Sequence, residues 1–391
     1  MKKNLANLIR RSIKKVVGKG VHQLHEPLFS KRELKYVSNT IKTSFVSSAG
    51  KYVNTFENKF KNYVKSKNAI AVTSGTQAIY ISLLACGVEK NNEVLVPSLT
   101  FVGTVNAIKN LGAIPHFIDS NINKNFGVDV IKLEKYLKKI TIFKNGDCFN
   151  KITKNKIKVI LPVHIFGHAC DIVNVLKIAK KYKLKVVEDA AEAVGSFYNK
   201  KHLGTFGDIG CFSFNGNKII TTGGGGMIVL NNNFVARRIK HLTTTAKLTH
   251  KWEYIHDETG FNLRMPNLNA ALGLAQLERI NLFINAKREL FKTYSKEFKN
   301  IKGISLYKES SNSKSNYWLQ TIIIDQKKSS QKNKILKELH KAKIFSRPAW
   351  KLISELKPYK NCSKMNLSGA REIYNRIINI PSSQGINLNK K

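Results

Sequence analysis

The chain has 391 residues, enough for two domains and far beyond a disulfide-stapled miniprotein. Hydrophobic (42%) and charged (24%) fractions are those of an ordinary globular protein and exclude wholesale disorder. The net charge of +42 raises nucleic acid, an anionic membrane or a polyanionic substrate as partners. That charge is nearly all lysine, spread through every segment beside Asn and Ile, without an arginine face or interleaved aromatics, so compositional drift explains it better and no nucleic-acid partner is expected.

Residues 1–20 read as an amphipathic helix. Leu5, Leu8, Ile9, Ile13, Val16 and Val17 share one stripe, with Lys2, Lys3, Arg10, Arg11, Lys14 and Lys15 elsewhere. The stripe suits packing across the protein or a partner subunit, or attachment to an acidic membrane surface; packing is the favoured reading. Lys14-Lys15 break the apolar stretch and exclude a secretory signal, and no run approaches the roughly 20 residues of a membrane span. Five scattered cysteines without a CxxC pair argue against a disulfide framework or thiolate metal site and fit a reducing cytoplasm. His164 and His168 stand at helical spacing, but Phe166-Gly167 between them reads as a turn, so no metal site is expected there.

From residue 69 strands alternate with helices. Ala69–Val72 is an apolar run, followed by Thr73-Ser74-Gly75-Thr76 and a helix from Gln77 that Gly87 closes. Glu93–Pro97 is a strand, Thr100–Gly112 a helix, and Ala113–Asp119 and Lys156–Val163 strands, with a Lys- and Asn-rich surface loop around 139–156. Asp171 to about Lys183 is helical, and Lys185–Asp189, Ile209–Phe214 and Met227–Leu230 return as strands. Apolar strands between amphipathic helices indicate an α/β sheet buried on both faces. Asn267–Ile284 reads as one helix leading into a second, α+β unit with strand Ser315–Ile324, helix Gln331–Ala342 and strand Arg376–Ile380. The expected domain map is residues 1–20, 21–260 and 261–391.

Three features carry chemistry. Thr73–Thr76 joins a strand to a helix, where amides, a close-approach glycine and hydroxyls can cradle a phosphate, or simply cap a helix. No GK[ST] or GxGxxG accompanies it. Val186–Glu192 delivers Asp189 to the carboxyl edge of the sheet, where a carboxylate serves a protonated pyridine nitrogen, a metal, or a helix cap. Cys211–Gly226 presents Lys218 beyond a strand, with Ser213 before it and four glycines behind; a lysine desolvated near other cations becomes an imine-forming nucleophile. Together they meet the needs of pyridoxal phosphate: Lys218 for the Schiff base, Asp189 for the ring nitrogen, and Gly75, Thr76 and Ser213 for the phosphate.

The block Ser213–Gly226 with Glu188-Asp189-Ala190-Ala191 resembles the DegT-type nucleotide-sugar aminotransferases, from about residue 22 onward. LHEPLFS (24–30), SSAGKYV (47–53), HLTTTAK (241–247), GFNLRMPNLNAALG (260–273), SNYWL (315–319) and RIINIPSS (376–383) sharpen the likeness toward the 4-aminotransferases of bacillosamine- and legionaminic-type sugars. The resemblance implies the fold-type I (aspartate-aminotransferase) architecture, a large domain with a mixed sheet between helices and a smaller α+β C-terminal domain. It also implies a homodimer with shared active sites. Phe101 is then expected to stack on the pyridoxal ring, and Ser74 and Asn215 to join the cofactor site. Asn262 would reach the phosphate of the opposite subunit, and Glu192 the pyridoxal hydroxyl. His164 would lie near the ring, or serve only as a turn residue. Arg347, Trp350 and the Arg376 region correspond to segments that approach the nucleotide.

Many family members have Gln at the position of Glu192 and Glu at that of Gly224, so substrate contacts of the wider family do not transfer directly. Relatives that deoxygenate sugars carry His in place of the lysine, so Lys218 implies amino transfer. The expected reaction moves the amino group of L-glutamate to C4 of a nucleotide-linked 4-keto-6-deoxy-2-acetamido sugar, for a surface polysaccharide or glycan. The alternatives are a pyridoxal-dependent transaminase acting on another sugar nucleotide or an amino acid, and a non-catalytic basic binding protein of the same fold.

Overall fold

In a computed structural model, residues 4–123 and 125–388 are described. Helix α1 (Leu5–Val17) opens the chain, with Asn4 capping the Ala6 amide. Ile9 and Ile13 are fully buried, and the stripe joins Leu290, Tyr294, Phe298, Ile335 and Leu339 in one cluster. Burying each such side chain stabilises by roughly 1.5–3 kcal/mol, so the apolar face is spent on packing within the chain. Lys2 and Lys3 lie outside the described residues.

Two further helices follow, α2 (Lys31–Lys42) and α3 (Lys51–Val64). A capping box starts α2: Ser30 accepts from the backbone and Glu33 reaches back to the Ser30 amide at 2.7 Å. The seven strands of the large sheet are β1 (Asn68–Val72), β2 (Glu93–Pro97), β3 (Ile114–Ile118), β4 (Ile157–Ile160), β5 (Lys185–Asp189), β6 (Ile209–Ser213) and β7 (Gly226–Leu230). Their order is β1-β7-β6-β5-β4-β2-β3, with β7 antiparallel to both neighbours and the other pairings parallel. Helix α4 (Gly75–Ala85) packs on β6 and β7 and against α5 (Val102–Asn110). Parallel pairing aligns the carboxyl ends of β5 and β6, Asp189 opposite Cys211, and the reversal at β7 sets Gly226 between Val72 and Ser213. One sheet edge thus collects the residues of interest.

The stretch 139–156 is not the loop expected from its Lys and Asn content. It ends a helix (Val130–Ile140) and forms an antiparallel hairpin, Thr141–Lys144 on Asp147–Asn150, turning through Asn145 and Gly146 at positive φ. The single helix expected over 267–284 is two, α6 (Asn267–Leu277) and α7 (Ile280–Phe298), because the backbone leaves helical geometry at Arg279. Arg279 and Gln276 both bond Glu33, tying that break to α2.

The smaller sheet is antiparallel: β8 (Ile304–Leu306), β9 (Gln320–Ile324), β10 (Arg347–Pro348) and β11 (Ile377–Ile380), in the order β8-β9-β11-β10, with helix α8 (Lys332–Lys341) against it. Residues 315–319 precede β9 as an irregular turn rather than extending the strand. Side chains of α6 and the start of α7, through Ile284, belong to the large core, whereas Leu290 onward belongs to the second core with α1. The architecture is the expected aminotransferase-type α/β sheet with a small antiparallel C-terminal sheet.

Candidate active site

The carboxyl ends of β1, β5 and β6 border a cavity of about 350 Å³. Its wall includes Ser74, Gly75, Thr76, Phe101, Asp189, Glu192, Ser213, Asn215 and Lys218, so nine expected site residues meet in one hollow. Ser74 is the N-cap of α4, its hydroxyl accepting from the Gln77 amide at 3.2 Å. A Cβ at Gly75 would lie 2.7 Å from the Ser213 Cβ, and one at Gly226 2.5 Å from the Ser74 carbonyl oxygen. Only glycines allow the helix start to press against β6 and β7 there. The first turn of α4, with Thr76, Ser213 and Asn215 around it, has the free amides and hydroxyls that suit a phosphate dianion.

Asp189 is buried opposite that turn. Its Oδ2 accepts from the Thr104 hydroxyl at 2.7 Å and its Oδ1 from the Ala191 amide at 3.1 Å. Burial raises its pKa against the pull of Thr104, the Ala191 amide and the more distant Lys218. Among the described residues no cation pairs with this carboxylate, so it is suited to a ligand that brings its own N–H⁺. Phe101 lines the same cavity at 53% exposure, an aromatic face left free for stacking. A phosphate receptor, a flat face, a carboxylate and a lysine around one hollow fit pyridoxal phosphate.

Lys218 is held in a turn in which its amide donates to the Asn215 carbonyl at 2.9 Å. Its Nζ lies 3.2 Å from Glu192 Oε1 and 4.0 Å from the ring centroid of Trp318. The amine thus stands against a carboxylate and an indole face rather than beside other cations. Glu192 is buried, its other oxygen accepting from the Phe166 amide at 2.7 Å. Burial raises its pKa, opposed by the Lys218 charge and the Phe166 amide. Gly224 also lines the cavity, and a Cβ there would meet nothing within 4 Å, so the wall is open at that point.

Two expected residues lie elsewhere. His164 is fully buried and is not on the cavity wall; its Nε2 is 2.9 Å from Glu188 Oε2. Its Nδ1 accepts from the Cys170 amide at 3.3 Å, which puts the ring proton on Nε2 for Glu188. Glu188 draws a second proton toward the ring, but the Cys170 amide occupies the nitrogen that would take it. The structure places His164 in the turn behind Asp189, bonded to Glu188 and the Cys170 amide and off the cavity wall. Asn262 is exposed, bridged to Thr244, and absent from its own chain's cavity wall. Of the three residues matched to the nucleotide end, Trp350 lines the cavity, Arg347 is exposed, and Arg376 is engaged by Glu372 and by the Ile324 carbonyl at 2.8 Å.

Sequence reading missed Thr104 and Trp318, which the fold brings to Asp189 and Lys218. Period-two alternation carried the signal for His164: adjacent residues on a strand point to opposite faces, so Asp189 and Glu188 cannot both face the cavity.

The fold matches solved aminotransferases. Helicobacter pylori PseC, an aminotransferase of pseudaminic acid biosynthesis, superposes with a TM-score of 0.83 at 26% identity, covering 95% of this chain and 96% of that one. The fold and the site thus define a pyridoxal-phosphate-dependent aminotransferase. Residues 27–390 match the DegT/DnrJ/EryC1/StrS aminotransferase family, and the chain belongs to it. It is similar to the GDP-perosamine synthase of Escherichia coli O157:H7, 37% identical over 359 residues and 92% of each chain. It is also similar to the UDP-4-amino-4,6-dideoxy-N-acetyl-beta-L-altrosamine transaminase of Campylobacter jejuni serotype O:23/36, 30% identical over 88% of each. Family membership holds; the narrower likeness to bacillosamine- and legionaminic-type enzymes is not singled out by these identities.

Among the described residues no helix is long and apolar enough to cross a membrane.

Proposed function

We propose that the chain transfers the amino group of L-glutamate to the C4 ketone of a nucleotide-linked 4-keto-6-deoxy sugar destined for a surface polysaccharide or glycan. One observation carries this reading: Lys218, Asp189 and the N-terminal turn of α4 face a single cavity. Pyridoxal phosphate bound there would supply an aldehyde that accepts the amine and a ring that delocalises the electrons of the broken C–H bond. The protein's share is positional. Ser74, Gly75, Thr76, Ser213 and Asn215 would hold the phosphate, and Asp189 would keep a proton on the ring nitrogen. Lys218 would hold the aldehyde and move protons at the substrate carbon, with Glu192 within reach of its amine.

The greater identity to a GDP-perosamine synthase favours a GDP-linked substrate. A UDP-linked 2-acetamido sugar is the second reading, supported by the likeness to the Campylobacter transaminase. Incubating the purified enzyme and L-glutamate with GDP- and UDP-linked 4-keto sugars, and reading the products by NMR, separates the two. Borohydride is expected to fix the cofactor on Lys218, and Lys218→Ala to abolish turnover. A fully active Lys218→Ala protein refutes the assignment.

The active form we propose is a homodimer. Leu34, Ile41 and Phe45 on and after α2, with Trp252 and Tyr254 on the 247–257 loop, are large apolar side chains 58–80% exposed. Such surface is unusual on a monomer. Asn262, exposed and outside its own cavity, is free to reach the phosphate site of a second copy. Sedimentation of a monomer at working concentration opposes this assembly.

A further inference from the structure

The segment Asn316-Tyr317-Trp318 has no role in the reaction as described so far, yet it touches both members of the Lys218–Glu192 pair. Asn316 is fully buried, and its side-chain amide donates to the Glu192 carbonyl at 2.8 Å and to the Val194 carbonyl at 2.9 Å. Its Oδ1 accepts from the Trp318 amide at 2.8 Å, so the same side chain sets the course of the backbone into Trp318. The indole N–H of Trp318 donates to the Asn217 carbonyl at 2.7 Å, one residue before Lys218. The indole face receives the Lys218 ammonium at 4.0 Å. One turn thus grips the carboxylate's backbone with one residue and the lysine's turn and charge with another.

The grip is itself fixed. Tyr317 has φ +47°, a left-handed backbone that a bulky residue adopts only under constraint. Its ring stacks on Phe291 at 4.3 Å, and its hydroxyl accepts from the Glu309 amide. Lys287, buried in α7, donates to the carbonyls of Trp318 and Ser382 at 3.0 and 2.5 Å, fastening the turn to the chain after β11.

We propose that Trp318 is a positioning residue for amino transfer, its N–H fixing the turn before Lys218 and its indole face holding the Lys218 amine beside Glu192 whenever that amine is not joined to the cofactor. Amino transfer frees the lysine in every cycle, and an unrestrained four-carbon chain would have many rotamers to search before returning. Glu192 supplies a charge beside the amine, and the indole face adds a second contact without offering an acceptor that competes for the proton. The proposal rests on the aminotransferase reading.

The test follows cofactor capture by the cofactor-free enzyme, as the rate at which borohydride-fixable label appears on Lys218. Trp318→Leu is expected to slow capture about tenfold, and Trp318→Phe, which keeps an aromatic face, to recover about threefold of it. Capture by Trp318→Leu at the wild-type rate overturns the proposal, whereas no label on the wild-type protein overturns the aminotransferase reading instead. A second arm needs neither cofactor nor a Trp318 variant that folds. With Trp252 and Trp350 replaced by Phe, Trp318 is the sole indole, and Lys218→Met is expected to change its emission. Unchanged emission means the amine does not rest on that ring, and the proposal falls.

Discussion

Replacing Glu188 by Gln should destabilise the protein severely although the side chain is isosteric. Four N–H groups converge on this buried carboxylate. Oε1 accepts from the Phe206 and Gly207 amides at 2.6 and 2.7 Å, and Oε2 from His164 Nε2 and the Gly204 amide, both at 2.9 Å. A glutamine offers one oxygen, so two donors would face its NH₂ group with nothing to bond. At about 1–3 kcal/mol for each orphaned buried donor, the loss is roughly 2–6 kcal/mol, a large part of a typical total stability of about 5–15. The effect should reach the site, because the His164 amide donates to the Asp189 carbonyl at 3.0 Å and the Asp189 amide to the Pro162 carbonyl at 2.9 Å. The pH dependence has a definite sign. Burial pushes the Glu188 pKa up, but His164 and the glycine amides outweigh it and hold the group below its ordinary 4.5. Its contribution is then complete above about pH 4.5 and is lost as pH falls through the lower folded value. Urea unfolding followed by circular dichroism at pH 7 and at pH 4 measures both effects. A Glu188→Gln protein within about 0.5 kcal/mol of wild type at pH 7 refutes the four-donor argument.

Gly75→Ala should weaken cofactor retention at least about tenfold and lower stability by roughly 1–3 kcal/mol, since the new Cβ would stand 2.7 Å from that of Ser213; titration of the cofactor-free protein by absorbance, with a thermal melt, checks both. His168→Leu should flatten the acid side of the stability profile. The His168 ring is buried between Tyr307 and Tyr317, neither nitrogen bonded among the described residues, and burial lowers its pKa to about 3. Below about pH 6.5 the unfolded chain takes a proton that the folded one refuses, so stability falls by up to about 1.4 kcal/mol per pH unit toward pH 3, and unfolding at pH 7, 6 and 5 should show the variant losing less.

The seven strands of the large sheet were legible because each is an apolar run long enough for one strand and closed by polar or turn residues. Asp189 ends the strand read at Lys185–Asp189 to the residue, and its place at a ligand-binding edge followed from parallel pairing alone. Contacts across long sequence separations were not legible. Trp318 lies 100 residues beyond Lys218, and nothing local to either announces that the indole will cover the amine. Thr104 reads as an ordinary helical threonine until β5 brings Asp189 to it. The hairpin 141–150 was hidden for a different reason. Its strands expose Ile142, Phe143 and Lys144 and bury few residues, so the alternation that marks a half-buried strand is weak. The break between α6 and α7 was masked by an apolar pattern that continues through it. The break coincides with bonds from Gln276 and Arg279 to Glu33, more than 240 positions away, which no local pattern announces.

Rigidity at this site is produced by loops that lock one another, which accounts for several glycines and strained residues away from the cavity wall. Phe166 has φ +56°, unfavourable for an aromatic residue by about 1–3 kcal/mol, and that conformation aims its amide at Glu192 Oε2. Gly167, at φ +88°, follows with no side chain because a Cβ there would fall 1.9 Å from Asn316 Oδ1. Its carbonyl accepts from both Ser196 and Ser315, at 2.7 and 2.9 Å, and Ser196 accepts in turn from the Asn316 amide. Three loops, 164–168, 192–196 and 315–318, are therefore closed into one bonded unit around Glu192. Several hydrogen bonds at about 0.5–1.5 kcal/mol each offset the two left-handed non-glycine residues, Phe166 and Tyr317, and the surplus fixes a carboxylate in place before any ligand arrives. A carboxylate so held cannot swing to follow a moving amine. The lysine must come to it, which is why the aromatic face that guides Lys218 belongs to one of the same three loops.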